Sequence, residues 1–270
     1  MLAAEALEVR PGMKVLDACA APGGKSAYLC EQMQLTGRVY AWELHEKRAQ
    51  LLEGVRRRLG LDNLRISVRD ALDFRPDLEG ALDGVLLDNY YLTSSGDGTA
   101  YASYLSTGGG MGFENYMYSA TESAMKAVVD AFHQGRRSIQ VGLLADAVWA
   151  NKDTNEAGSD TSAGFQALTD GYADTKGFVE QGYYDFIAVK ALGSRSNSAT
   201  PFTTVVKWWA ALAQQKNIPL YAVQASSKSV STETGWTSPT ELTEQVMEAR
   251  EIAGYKGSMF DSLSRLKADP

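Results

Sequence analysis

Residues 15–26, VLDACAAPGGKS, put an acid at the end of an apolar run, then a turn carrying Gly23 and Gly24, then the start of a helical pattern. Glycine lets backbone approach a ligand closely, and a helix N-terminus offers free N–H groups to it. The turn does not read G-x-G-x-x-G, so it fits a dinucleotide's pyrophosphate poorly. Glu43 closes the run RVYAWE, where an acid can take the two hydroxyls of a ribose; Asp70 closes the next run and can accept from an adenine amino group; Asp88 closes a fourth. Four acids at four successive strand ends describe one crevice for a ligand with a nucleoside part. Taken singly, each acid reads equally well as a cap for the helix that follows it.

A second set of residues suits sugar chemistry. Glycoside hydrolysis needs two carboxylates facing a bound ring, and Asp88, Asp146 and Asp261 all follow apolar runs. Trp149, Tyr90 and Tyr91 are placed to stack on sugar rings, and Lys190 and Gln224 to bond hydroxyls. Each aromatic also reads as core packing, and Asp261 as a cap for the turn after it. Trp208 and Trp209 sit on a helix flank and read as packing against a sheet, while His45 and His133 are isolated helix-face residues.

The elements that must carry these residues alternate. Strands are expected at 14–18, 38–43, 64–68, 83–88, 138–144, 184–190, 218–224 and 256–260. Helices are expected at 24–34, 45–60, 117–134, 163–181, 202–215 and 239–253. The connection 69–82 is weak, and 92–115, rich in Gly, Ser and Thr, reads as a long loop. Strand-helix alternation implies parallel strands with crossover helices. The fold class is therefore α/β, with eight βα units. Eight is the tally of a (β/α)8 barrel and near that of an open methyltransferase sheet, whose usual terminal hairpin has no signal here.

The chain has 270 residues, 44% hydrophobic and 22% charged, which suits one large α/β domain or two small ones. A net charge of −7 argues against a broad basic face for nucleic acid. The longest apolar runs, such as VVKWWAALA, fall short of the ~20 residues of a membrane span, and the N-terminus lacks the basic start of a signal peptide. Two cysteines, Cys19 and Cys30, make no disulfide framework, so a cytoplasmic, reducing compartment is expected. Composition steps sharply at one point: three Ser or Thr precede position 88 and 36 follow it, while nine arginines precede it and five follow.

Residues 3–88 resemble the catalytic domain of the RNA (cytosine-5) methyltransferases of the Sun/Fmu type, whose S-adenosylmethionine signature is close to DACAAPGGK. The resemblance implies that Cys19, Ala20, Ala21, Pro22, Gly23, Gly24 and Lys25 hold the methionine end of that cofactor. By the same match, Glu43 holds its ribose, Asp70 lies beside its adenine, and Asp88 opens the catalytic motif. The match then stops. The family continues from this aspartate with Ala-Pro-Cys-Ser-Gly, whereas this chain continues Asn89-Tyr90-Tyr91, and it has no cysteine after Cys30. Cytosine-5 transfer begins with a thiolate adduct, so the entry step is missing. The RNA-binding extension that precedes the domain in the family is also absent from the sequence, which makes RNA an unexpected partner.

From about residue 83 onward the chain resembles glycoside-hydrolase-like (β/α)8 barrels. DGVLLDNYY, VGLLADAVWAN, GYYDFIAVKAL and YKGSMFDSL look like their later strands, and the tandem Trp208-Trp209 also fits. The implied catalytic pair is Asp88 and Asp146. Both resemblances meet at 83–88, where the composition steps, and neither half is complete. The expected molecule is one composite domain, residues 1–88 and 89–270, of engineered or recombined origin. It is a hybrid of a Rossmann-like half-sheet, in strand order 3-2-1-4, and a half-barrel. Three functions follow from this: a composite that binds S-adenosylmethionine without methyl transfer, a purely structural chain, or a residual glycoside hydrolase.

Overall fold

A computed structural model describes residues 9–17, 20–69, 84–87, 98–135, 140–228 and 231–261. The chain divides into two compact units, Met1–Leu86 with Phe132–Gln140, and Leu87–Ala131 with Val141–Pro270. All eight expected strands are present. They fall into two sheets, one of three strands in the order β1-β2-β3 and one of five in the order β4-β5-β6-β7-β8.

In the first sheet, β1 (Lys14–Asp17), β2 (Arg38–Glu43) and β3 (Leu64–Val68) run parallel, with Val15 opposite Val39 and Ala41 opposite Ile66. Central β2 buries Val39, Ala41, Trp42 and Glu43, the two-sided burial of a strand covered on both faces. Helix α1 (Gly24–Gln32) buries a continuous run, Ser26 to Cys30. Helix α2 (Glu46–Leu59) buries only Ala49 and Leu52. It opens on Glu46, closes on Arg56, Arg57 and Arg58, and stops at Gly60 with φ 65°, so charge and cap both follow the helix dipole.

The second sheet is sequential. β5 (Gln140–Ala145), β6 (Phe186–Lys190), β7 (Leu220–Gln224) and β8 (Tyr255–Phe260) pair in parallel, with Leu143 opposite Ile187 and Val223 opposite Met259; β4 (Gly84–Leu87) is the neighbour of β5. Gly142 is required where it stands, because a Cβ there would lie 2.0 Å from the Phe186 ring. The helices are α3 (Gly98–Ser106), α4 (Phe113–Gly135), α5 (Thr175–Glu180), α6 (Phe202–Lys216) and α7 (Glu241–Arg250). Helix α6 supplies the centre of the core with Phe202, Val205, Val206, Trp209 and Ala213. Among the described residues no helix is long and apolar enough to cross a membrane.

Three expectations need correction. The helix expected over 163–181 shrinks to Thr175–Glu180. Its first part is instead held as a loop: Ala167 and Leu168 donate to the carbonyls of Val148 and Trp149, Asn151 brackets Ala163, and Tyr172 takes a left-handed φ of 49°. The loop expected over 92–115 contains α3, and among its described residues the helical break is the glycine-rich turn between Ser106 and Phe113. The order 3-2-1-4 is found only as far as β3-β2-β1, since β4 belongs to the other sheet; strands one and eight, which a closed barrel would pair, are also in different sheets. The weak connection 69–82 lies outside the described residues, apart from Arg69.

One polar clamp fixes the loop after β6. Arg195 donates to Glu241, Glu244 and Glu248, which share one face of α7, and its backbone N–H also donates to Glu241 at 2.7 Å. Glu241 is buried, whereas Glu244 and Glu248 are 40% exposed, so solvent screens their share. Arg195→Ala strands a buried carboxylate and is expected to cost about 2 kcal/mol in urea unfolding. Hydrogen bonds from Thr203 and Arg195 hold Glu248 below the usual carboxylate range. Its contribution is present at neutral pH and is lost as pH falls through that lowered value, so the difference between wild type and variant should narrow in acid.

Candidate functional site

The glycine turn is anchored from both sides. Ala20 N–H donates to the Trp42 carbonyl on β2 at 2.9 Å, and the Ala21–Pro22 peptide is cis. Gly23 caps α1 with φ 109°, a left-handed conformation that glycine adopts without strain, and a Cβ there would press on Leu52 of α2 at 2.9 Å. Gly24, the first residue of α1, faces open space. The N–H groups of the first turn of α1 therefore point out beside an uncrowded backbone. Asp17, at the end of β1, accepts from the Ser26 hydroxyl at 2.7 Å, which ties the strand end to the helix start.

Glu43 ends β2 and is 3% exposed. Its Oε1 accepts from His45 N–H at 3.2 Å and lies 3.4 Å from the Arg48 guanidinium. Arg48 also donates to the Ala21 carbonyl at 3.1 Å, so one side chain of α2 joins the acid to the glycine turn. Sequence reading missed Arg48, because only the fold brings residue 48 beside residue 21. Leu44 and Val68 are both more than half exposed and follow or face Glu43 at the strand ends, an apolar ledge beside the acid. His45 is the residue before α2. Cys19, Asp70 and Asp88, singled out from the sequence, lie outside the described residues.

Cys30 is fully buried in α1, and burial, helped by Glu31, pushes its thiol up to about 12. A neutral buried thiol is neither a nucleophile nor readily labelled. In a Cys19→Ser variant, a thiol reagent should find no reactive group until the protein is unfolded, and then one.

In the second unit, Asp146 follows β5 and Lys190 ends β6; the ammonium donates to Asp146 Oδ1 at 3.3 Å, with both side chains about four-fifths buried. Asp261 follows β8, its N–H donating to the Gln224 carbonyl and its own carbonyl accepting from Ser227. Two expectations fail here. Gln224 is fully buried and bonds Gln245 at 3.1 Å, so it does not reach a hydroxyl from solvent. Trp149 is 5% exposed, with Trp208 stacked on the ring at 5.8 Å, the Lys176 ammonium 5.5 Å from its centre, and its indole N–H donated to Asp174. No ring face is left for a sugar. Trp209 is fully buried, in keeping with a packing role. Tyr90 and Tyr91 lie outside the described residues. Among the described residues no group of three His, Cys, Asp or Glu side chains is placed to hold a metal ion.

Comparison with known proteins finds similarity of two kinds. The family model for the 16S rRNA methyltransferase RsmB/F matches residues 4–98. The chain is similar to the glycosyl hydrolase YngK of Bacillus subtilis, 28% identical over 147 residues, which is 54% of this chain and 29% of that protein. It is similar to the glycosyl hydrolase DigH of Escherichia coli, 30% identical over 146 residues, 52% of this chain and 32% of that protein. It is also similar to a probable ribosomal RNA small subunit methyltransferase B of Bacillus subtilis, 39% identical over 89 residues, 33% of this chain and 20% of that protein. The chain thus spans about a third or less of each of these relatives. Its resemblance is in two parts, to rRNA methyltransferases and to proteins named as glycosyl hydrolases.

Proposed function

We propose that the chain is a composite that binds S-adenosylmethionine through its first unit and does not transfer the methyl group to cytosine. The glycine turn supports the reading. Gly23 in the left-handed region, the open space at Gly24 and the anchored Ala20–Pro22 let the backbone approach the methionine end of the cofactor closely. By the match to the methyltransferase signature, Cys19 and Lys25 belong to the same binding segment. Glu43 takes the ribose, releasing Arg48 from its carboxylate, and the Leu44 and Val68 ledge supplies an apolar surface for the adenine. Asp70 sits at the adenine side and Asp88 at the methyl end, by the match to the methyltransferase signature. When bound, the cofactor would present an electrophilic methyl group; these residues bind and orient it.

Transfer fails for want of a nucleophile. The sequence has no cysteine after Cys30, and Cys30 is buried with its thiol proton held. Incubation with S-adenosylmethionine carrying a labelled methyl group and with ribosomal RNA should leave the RNA unlabelled, while equilibrium dialysis of the same cofactor shows binding. Labelled RNA would overturn the proposal, and so would absence of binding. The second unit is then the half-barrel of a composite domain joined at 83–88, a recombined or engineered origin being what its composition step suggests.

A second reading rests on Asp146. It lies 3.3 Å from the Lys190 ammonium, and Asp88 would be its partner acid in residual glycoside hydrolysis. With Gln224 and Trp149 both occupied in packing, we rank this below cofactor binding, alongside a chain that is structural only. Turnover of a chromogenic glycoside that disappears in Asp146→Asn would reverse the order.

A further inference from the structure

A cleft of about 290 Å³ lies between α4 and the segment 168–181, wholly within the second unit, lined by Tyr118, Glu122, Leu168, Asp174, Phe178 and Gln181. One wall is the half-buried Tyr118 ring and two are carboxylates, while the Phe178 ring is buried and stacked on Tyr183 at 5.8 Å. Glu122 Oε1 accepts from Gln181 at 3.2 Å and Tyr183 at 3.4 Å, and Asp174 Oδ1 accepts from Trp149 and from Gly177 N–H at 2.9 and 3.0 Å. All four donors are neutral. The nearby lysines are engaged elsewhere, Lys126 with Asp130 at 2.5 Å and Lys176 with Glu180 at 2.7 Å. Among the described residues neither lining carboxylate is paired with a cation, and both line the same half-enclosed space as Tyr118.

We propose that this cleft binds a small organic cation, an alkylammonium or quaternary ammonium group, which contacts the Tyr118 ring and is neutralised by Glu122 and Asp174. Aromatic faces attract cations through their quadrupole, and more strongly where water is displaced. Carboxylates beside them select a cation over a neutral ligand of the same shape. A pocket near the small end of the ligand-site range suits a few carbons around one charge. Burial raises the Tyr118 phenol above its ordinary value, and Glu114, Tyr172, Asp174 and Asp170 add to it in the same direction. This site is separate from the cofactor crevice of the first unit and does not depend on it.

The indole N–H of Trp149 is bonded to Asp174 and gives an intrinsic reporter. Tetramethylammonium chloride and cadaverine would be titrated against sodium chloride of equal ionic strength, read by tryptophan fluorescence and by calorimetry. The expected result is saturable binding of one probe or both, with sodium inert, and affinity reduced on the order of fivefold to tenfold in Glu122→Gln and in Tyr118→Leu. Glu122→Gln keeps an oxygen acceptor for Gln181 and Tyr183, so its melting temperature should match wild type. If Tyr118→Leu proves unstable, Glu122→Gln alone decides. A response without saturation, an equal response to sodium, or equal affinity in folded Glu122→Gln overturns the proposal.

Discussion

S-adenosylmethionine at a hundredfold excess over its dissociation constant should raise the melting temperature by about 5–10 °C, from about 2.7 kcal/mol of linkage to the native state. The decisive control is Gly24→Val. A Cβ at Gly24 meets nothing within 4 Å, and the residue opens α1 without a left-handed φ, so the unliganded protein should melt close to wild type. The added side chain nevertheless fills the space over the helix N-terminus where the methionine end of the cofactor would lie. Glu43→Gln tests the other end. Losing charge-assisted bonds to two ribose hydroxyls weakens binding about a hundredfold, which leaves about 0.4 kcal/mol of linkage at the same concentration. A shift in wild type that is absent in Gly24→Val and nearly absent in Glu43→Gln places the cofactor in the crevice. A shift of equal size in all three proteins would place it elsewhere, and no shift in wild type would leave a chain that folds without a ligand.

The strands were legible because each is a short apolar run between turn signals, and a buried parallel strand needs little more than that. Helix α2 was legible for a related reason: Glu46 at one end and three arginines with Gly60 at the other state its direction locally. The segment 163–174 was not. Its helical spacing loses to long-range partners, Asn151, Val148 and Trp149, that periodicity does not contain. The sheet to which β4 belongs was likewise beyond a local reading, because the run 83–88 resembles both families' patterns and pairing decides between them. Site residues divide along the same line. Acids at strand ends announce themselves through topology, whereas the bridge from Arg48 to Glu43 and Ala21 exists only once α2 has packed. Trp149 misled because an aromatic after a strand end looks the same in sequence whether its faces are open or covered by Trp208 and Lys176.

The largest effect on stability is expected from Trp209→Ala, at about 4 kcal/mol in urea unfolding. The side chain is fully buried, meets Trp208 edge-to-face at 4.9 Å, and donates its indole N–H to the Ala147 carbonyl at 3.0 Å. Truncation therefore removes a large apolar area, opens a cavity in the middle of α6's packing, and leaves a carbonyl beside Asp146 without its donor. Two comparisons separate these contributions. Trp209→Phe keeps most of the volume and loses the donor, so it should cost about 1–2 kcal/mol. Trp208→Ala removes a half-buried ring that stacks on Trp149 and donates to Ala157, and it too should fall well short of Trp209→Ala. The order also bears on chemistry. If Trp209→Phe leaves stability largely intact yet changes the pH dependence of any activity traced to Asp146, the tryptophan is positioning the turn that carries this carboxylate. If stability is all that changes, Trp209 serves the core alone.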